Sequence, residues 1–247
     1  MNVDYTDISK DYDRYRSYPQ SLIETIIELG KIKEGMKLLD LGCGTGNVAS
    51  QLLQQVNADV ICIDRSLPML QVAREKSLDI ICANADNNRM PFHDGSFDTI
   101  LGAYVIHQIK NLKFLFSECY RILRSSALVL LTSSHRQIEN QHPVVSEFFP
   151  NCIDIDKARF PDIGRIDTLL HSAGFVDIRH SEGLFESIPI DNEHLQKVKG
   201  KYVSTYHLLP QSEFELGVKK LEAFIKSRSQ PELREWRYTL IFGRKNG

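Results

Sequence analysis

Residues Asp40 to Asn47 read DLGCGTGN, with glycines at the alternate positions Gly42, Gly44 and Gly46, and this run restricts the fold more than any other. It closes the short apolar stretch MKLLDLG (Met36 to Gly42) and opens a helical pattern of Val48, Ala49, Leu52, Leu53 and Val56. Strand, tight turn and helix is the reading. Residues without Cβ atoms let the backbone approach a ligand closely, and the following helix turns unpaired N–H groups towards it.

The same alternation runs through most of the chain. Strand patterns occur at DVICID (Asp59 to Asp64), IICANAD (Ile80 to Asp86), within SFDTILGAYVIHQI (Ser96 to Ile109), at ALVLLT (Ala127 to Thr132), FVDIRH (Phe175 to His180) and WRYTLIFG (Trp236 to Gly243). Helical patterns run from Pro19 to the stop at Gly30, over Met69 to Lys76, Leu112 to Leu123, and Ile166 to Ala173. The pattern predicts an α/β fold: a seven-stranded, mostly parallel sheet with helices on both faces. The stretch from Gly183 to Glu235 is too long for a plain connection, since most loops are ~4 to 6 residues. Its helical patterns, around His194 to Tyr206 and Phe214 to Ile225, predict a helical cap inserted between the last two strands of one domain spanning 1–247. The segment Ser133 to Pro161, rich in Phe, Pro and His, is a second candidate cover.

Composition narrows the function classes. A formal net charge of −2 over 247 residues supplies no excess positive field for a phosphate backbone, so nucleic acid is not an expected partner. The start, MNVDYTDISKDYDRYR, lacks the apolar run of a signal peptide, and no stretch approaches the ~18 apolar residues of a spanning helix. A cytoplasmic, non-membrane protein is the expectation. The five cysteines are odd in number and without C-x-x-C spacing, which suits reduced thiols, and no carboxylate–histidine spacing suggests a metal. Oligomeric state is not readable.

Asp64 closes the second strand at roughly the ~20-residue separation at which a carboxylate meets ribose hydroxyls in folds of this kind. A nicotinamide-binding loop has the same geometry but needs G-x-G-x-x-G, whose third glycine would fall at Asn47. The motif here is G-x-G-x-G preceded by Asp40. It resembles the signature of class I, Rossmann-like S-adenosylmethionine-dependent methyltransferases, and later segments match in order and spacing from Lys37 to Gly243. The resemblance implies S-adenosylmethionine as cofactor, held by Arg16, Asp40, Gly42, Cys43, Gly44, Gly46, Asp64, Arg65, Met69, Asp86, Asn87 and Ala103. Asp64 would accept from the ribose diol, while Met69 and the Asp86-Asn87 turn would flank the purine. Asp40 would orient the ammonium of the amino-acid tail, with Tyr12 and Arg16 folding over the cofactor. Plainer readings stay open: Asp40 as a helix cap, Asp86 as a turn residue, Met69 as core.

Methyl transfer is an in-line displacement driven largely by positioning, so a general base is optional. His107, in GAYVIHQ at the exit of the fourth strand, is the candidate base; the alternative is that it shapes the cofactor pocket. Gly102-Ala103-Tyr104-Val105 stands where enzymes of this fold that methylate base amines or glutamine amides carry [DN]-P-P-[YF]. A small-molecule acceptor, methylated on O or N, is therefore expected. Tyr104, His135, Phe149 and Tyr206 are its candidate contacts, with Phe148, Tyr202 and His207 as further aromatic or imidazole liners. The competing classes are a protein that binds this cofactor without transferring methyl, and an NAD-dependent oxidoreductase.

Overall fold

A computed structural model of the chain describes residues 13, 18–86 and 89–246. The first described helix, α1 (Gln20–Leu29), starts behind Pro19, whose fixed φ suits a helix entrance, and stops at Gly30. It leads into β1 (Lys37–Leu41), α2 (Asn47–Leu53), β2 (Asp59–Asp64), α3 (Leu67–Glu75) and β3 (Asp79–Cys82). After β4 (Phe97–Ala103) and a 3-10 turn at Ile106–Gln108 come α4 (Leu112–Ile122) and β5 (Leu123–Thr132).

Seven strands form one sheet in the order β3-β2-β1-β4-β5-β7-β6, with β6 (Val176–Pro189) and β7 (Leu233–Arg244) last in the chain. Strands β1 to β5 pair in parallel, and β7 runs antiparallel between β5 and β6. Parallel strands covered on both faces need apolar side chains in both directions. Successive residues of β1 and β5 therefore feed opposite cores: Leu38, Val129 and Leu131 join Leu22 and Leu52 on one face. Leu39, Leu128 and Leu130 join Phe116 and Leu170, from α4 and from α8 (Ile163–Ala173), on the other. Because β1 lies between β2 and β4, chain order reverses at its end, which is where open α/β sheets leave a crevice for ligands.

Several strand boundaries differ from the sequence reading. The third strand ends at Cys82 rather than running to Asp86, because Asn84 Oδ1 accepts the Asp86 N–H at 2.9 Å and closes a local turn in place of the ladder. The last two strands are also longer than expected, reaching Pro189 and starting at Leu233, so Gly183–Pro189 and Leu233–Glu235 are hairpin and the helical insertion is shorter than the stretch read as cap. Gly183, where the stretch read as cap begins, lies inside β6, and a Cβ there would collide with the ring of Tyr238.

The insertion contributes α9 (Asn192–Lys199), a 3-10 turn at Ser204–His207 and α10 (Gln211–Lys226). These pack with α6 (Pro143–Ser146) and α7 (Asn151–Arg159), following α5 (His135–Glu139), into a third core of Val144, Phe149, Cys152, Leu195, Tyr206, Phe214 and Leu221. The two segments singled out as covers thus share one helical layer. No described helix is long and apolar enough to cross a membrane.

Candidate active site

The glycine turn sits in the crevice beyond β1. Gly44 has φ +55° with open space where a Cβ would stand, and its N–H donates to Asp64 Oδ2 at 2.9 Å. Gly46, at φ +74°, admits no side chain because a Cβ would meet Leu78. Asp64 Oδ1 accepts the Ser66 N–H at 2.8 Å, so one carboxylate ties the turn to the entrance of α3. Thr45 hydrogen-bonds to the Asp13 carboxylate, which pairs with Lys76 at 2.6 Å, and Lys76 also reaches Asn47 Oδ1 at 2.8 Å.

Asp40 is 1% exposed. It accepts the Ala49 N–H, yet its Oδ2 has no hydrogen-bond partner among the described residues. Burial, with the nearby Asp64 charge adding, pushes its pKa up to about 7 despite the Ala49 bond. The carboxylate therefore has an unmet demand for a positively charged donor. The Cys43 thiol is held protonated by its contact with Cys62 and by burial, which suits packing beneath the turn rather than nucleophilic chemistry.

Two cavities meet here. The smaller, about 60 Å³, is lined by Tyr18, Asp40, Gly42, Cys43, Gly44, Thr45, Asn47, Val48, Asp64, Ser66, Met69, Ala103, Tyr104 and Gln108. A nucleoside would need the open rim at Asp64 as well as this enclosed part. The larger, about 520 Å³, lies between the outer β6–β7 hairpin and the helical layer, and Tyr104 and Gln108 line it too. Tyr104 stands at the exit of β4 with φ +50°, a conformation that non-glycine residues adopt at a cost and that recurs at functional sites. His107 lines the larger cavity, its ring stacked on Phe160 at 4.3 Å. Tyr202, Tyr206, His142 and His207 line it as well, with burial lowering the pKa of both histidines.

The structure brings most of the sequence-selected residues together: Asp40, Gly42, Cys43, Gly44, Asp64, Met69 and Ala103 at the smaller cavity, His107 and Tyr206 at the larger, Tyr104 at both. Others lie elsewhere. Arg65 points to Gln108 Oε1 at 3.4 Å outside the lining, and Asp86 accepts the N–H groups of Lys110 and Asn111 at 3.2 and 3.1 Å, fastening the chain after β4. His135 Nε2 is spent on the Phe160 carbonyl at 2.8 Å. Phe149 is 1% exposed between Tyr206 and Phe214, so it is helical-layer core and not a cavity wall; neither is Phe148, packed on Phe224. Arg16, Tyr12 and Asn87 lie outside the described residues. Thr45, Ser66 and Gln108 carry no signal in the sequence, since isolated polar side chains in turns have no periodicity. Among the described residues no three His, Cys, Asp or Glu side chains are grouped to hold a metal.

A reversed-order parallel sheet, a glycine turn under a strand-end acid and a cleft opening at the exit of β4 define the class I methyltransferase architecture. Residues 39–131 match the family model described as a methyltransferase domain, and in fold the chain is similar to S-adenosylmethionine-dependent methyltransferases of class I. Over 131 residues it is 29% identical to the malonyl-[acyl-carrier protein] O-methyltransferase of Marinomonas sp. (strain MWYL1), covering 51% of this chain. The match spans 48%, about half, of that relative's length. Among solved structures, a candidate methyltransferase from an antibiotic biosynthesis pathway of Anabaena variabilis superposes with a TM-score of 0.74 at 22% identity, covering 93% of this chain and 98% of that one. The Haemonchus contortus phosphoethanolamine N-methyltransferase 2, solved with S-adenosyl-L-methionine, gives 0.64 at 18% identity over 100% of this chain and 61% of that one.

Proposed function

We propose that this chain transfers a methyl group from S-adenosylmethionine to an O or N atom of a small-molecule acceptor held in the larger cavity. The observation that carries the reading is the junction: Tyr104 and Gln108 line both cavities, so a donor in the glycine-turn cleft and an acceptor under the helical layer face each other there. The cofactor suits the residues present, because its ammonium answers the unpartnered Asp40 oxygen and the turn is open at Gly44. When bound it supplies an electrophilic methyl group on a positively charged sulfur.

The chain's own residues then position and enclose. Asp64, at the rim, accepts from the ribose diol, while Met69 and Ala103 form apolar walls. Helices α9 and α10 with the segment 133–161 act as a cap that excludes water, and proximity accounts for most of the acceleration. His107 takes the proton from a hydroxyl or ammonium acceptor as it is methylated. The absence of a [DN]-P-P-[YF] run at 102–105 and the aromatic walls favour a small acceptor over a nucleobase in a strand.

The test is calorimetric titration with S-adenosylmethionine, S-adenosylhomocysteine and NADH, followed by an acceptor screen with methyl-labelled cofactor. Saturable micromolar binding of the first two and label transfer to a small molecule are the expected results. Binding of NADH alone would overturn the reading of the glycine turn, and cofactor binding without transfer to any acceptor would make the protein a non-catalytic binder.

A further inference from the structure

Period-two alternation puts Arg234, Trp236 and Tyr238 of β7 on one face, between the exposed Leu233, Glu235 and Arg237. That face looks inward, and Arg234 is only 8% exposed. It lines the larger cavity, yet among the described residues no carboxylate lies within ion-pair distance of its guanidinium and no side-chain hydrogen bond holds it. Every carboxylate of the cavity wall is engaged by another cation: Asp156 with Arg159 at 3.6 Å, Glu182 with Arg136 at 3.9 Å, and Glu235 with Arg237 at 2.6 Å. Glu232, two residues away, is taken by Arg228 at 2.6 Å and faces His142 at 3.4 Å. The other wall cation without a carboxylate, Lys201, sits over the Phe214 ring at 4.6 Å. The Tyr202 hydroxyl on the same wall is buried with no partner among the described residues.

A guanidinium that is withdrawn from bulk water, faces a cavity and has no counter-charge in the protein is unfavourable until an anion reaches it, and its planar fork matches the two oxygens of a carboxylate or phosphate. We propose that the acceptor carries an oxyanion, a carboxylate or a phosphate, which pairs with Arg234 and accepts from the Tyr202 hydroxyl while the atom to be methylated lies at the Tyr104–Gln108 junction. This rests on the larger cavity being the acceptor site. It narrows the substrate class to anionic small molecules, and it makes Arg234 a specificity-determining residue with no place in the glycine turn. The neighbouring histidines do not share the burden: burial keeps His142 and His194 neutral, with the Arg234 charge contributing.

The experiment uses the full chain saturated with S-adenosylhomocysteine and titrates benzoate and phenyl phosphate against the neutral isostere benzamide, by calorimetry and thermal shift. At least one anion is expected to bind saturably and about tenfold or more tighter than benzamide. Arg234→Met should erase that preference, leave S-adenosylhomocysteine affinity within about twofold, and melt no lower than wild type, since a structural arginine would lower the melting point and a ligand-seeking one would not. Arg234→Gln serves if the methionine variant does not fold. Equal binding of acid and amide by wild type, no saturable anion binding, or an acid preference that survives the substitution would each overturn the proposal. Failure of S-adenosylhomocysteine to bind wild type would instead strike the methyltransferase reading itself.

Discussion

Replacing Asp40 by asparagine should make the free protein more stable and its cofactor binding weaker. The carboxylate titrates at about 7 in the fold against 3.8 unfolded, so the folded state holds a proton that the unfolded chain has released. A raised carboxylate pKa contributes stability that is complete below 3.8, declines as pH rises, and is gone above about 7. Roughly three pH units at 1.36 kcal/mol each give ~4 kcal/mol of charge penalty above neutrality, and water reaching the cleft brings the expected gain for Asp40→Asn to ~2 kcal/mol. That is a rise of about 4 to 8 °C in Tm at pH 8 for a chain of this size, vanishing towards pH 4. S-adenosylhomocysteine should bind the variant about 10- to 100-fold more weakly at pH 8, the loss of one charge-assisted bond. Wild-type affinity should rise about tenfold from pH 5.5 to 8, with proton release visible when titrations in two buffers of different ionisation enthalpy are compared. A variant less stable than wild type at pH 8, or one with unchanged, pH-independent affinity in both proteins, would refute the assignment of Asp40 as a buried anion awaiting an ammonium.

Three further outcomes follow from the same geometry. Asp64→Ala should weaken S-adenosylhomocysteine binding by ~1.5 to 3 kcal/mol per charge-assisted bond lost and loosen the turn, because its carboxylate also accepts from Gly44 and Ser66; calorimetry on a folded variant checks this. His107→Ala should keep cofactor affinity and slow label transfer most at neutral pH, and full turnover across the pH range would remove it as a base. His194 is buried with its pKa pushed down to about 3, so the fold is penalised as pH falls from 6.5 towards that value. His194→Leu should therefore gain ~3 kcal/mol over wild type at pH 4 and little at pH 7.5, read as a difference in Tm between the two proteins.

What the sequence disclosed and what it concealed separate by range of interaction. The glycine turn, the strand-end Asp64 and the alternation of strands and helices are written in neighbouring residues and short periods, so the crevice beyond β1 was legible. The helical layer is built between distant segments, as when Phe149 meets Phe214 and Asn151 meets Glu213, and aromatic residues at helical spacing do not say whether they face a ligand or one another. Phe149 was misplaced for that reason. The bonds that Asp86 accepts from Lys110 and Asn111 were not legible, because those donors come from beyond the next strand. Arg234 could have been found: extending the last strand back by three residues puts it in phase with Trp236 and Tyr238.

The β6–β7 hairpin outgrows the sheet, and its outer half carries both the helical layer and the wall that holds Arg234. Residues of the glycine turn do not reach that wall; the cavities share Tyr104 and Gln108 alone among their linings. On the proposed function, the molecule is divided into a fixed delivery end and an interchangeable receiving end hung on one arm. Drift in the arm and its helices can re-specify the recipient while the delivery end keeps its chemistry, so lineages built on this plan should diverge in what they modify far sooner than in how they do it.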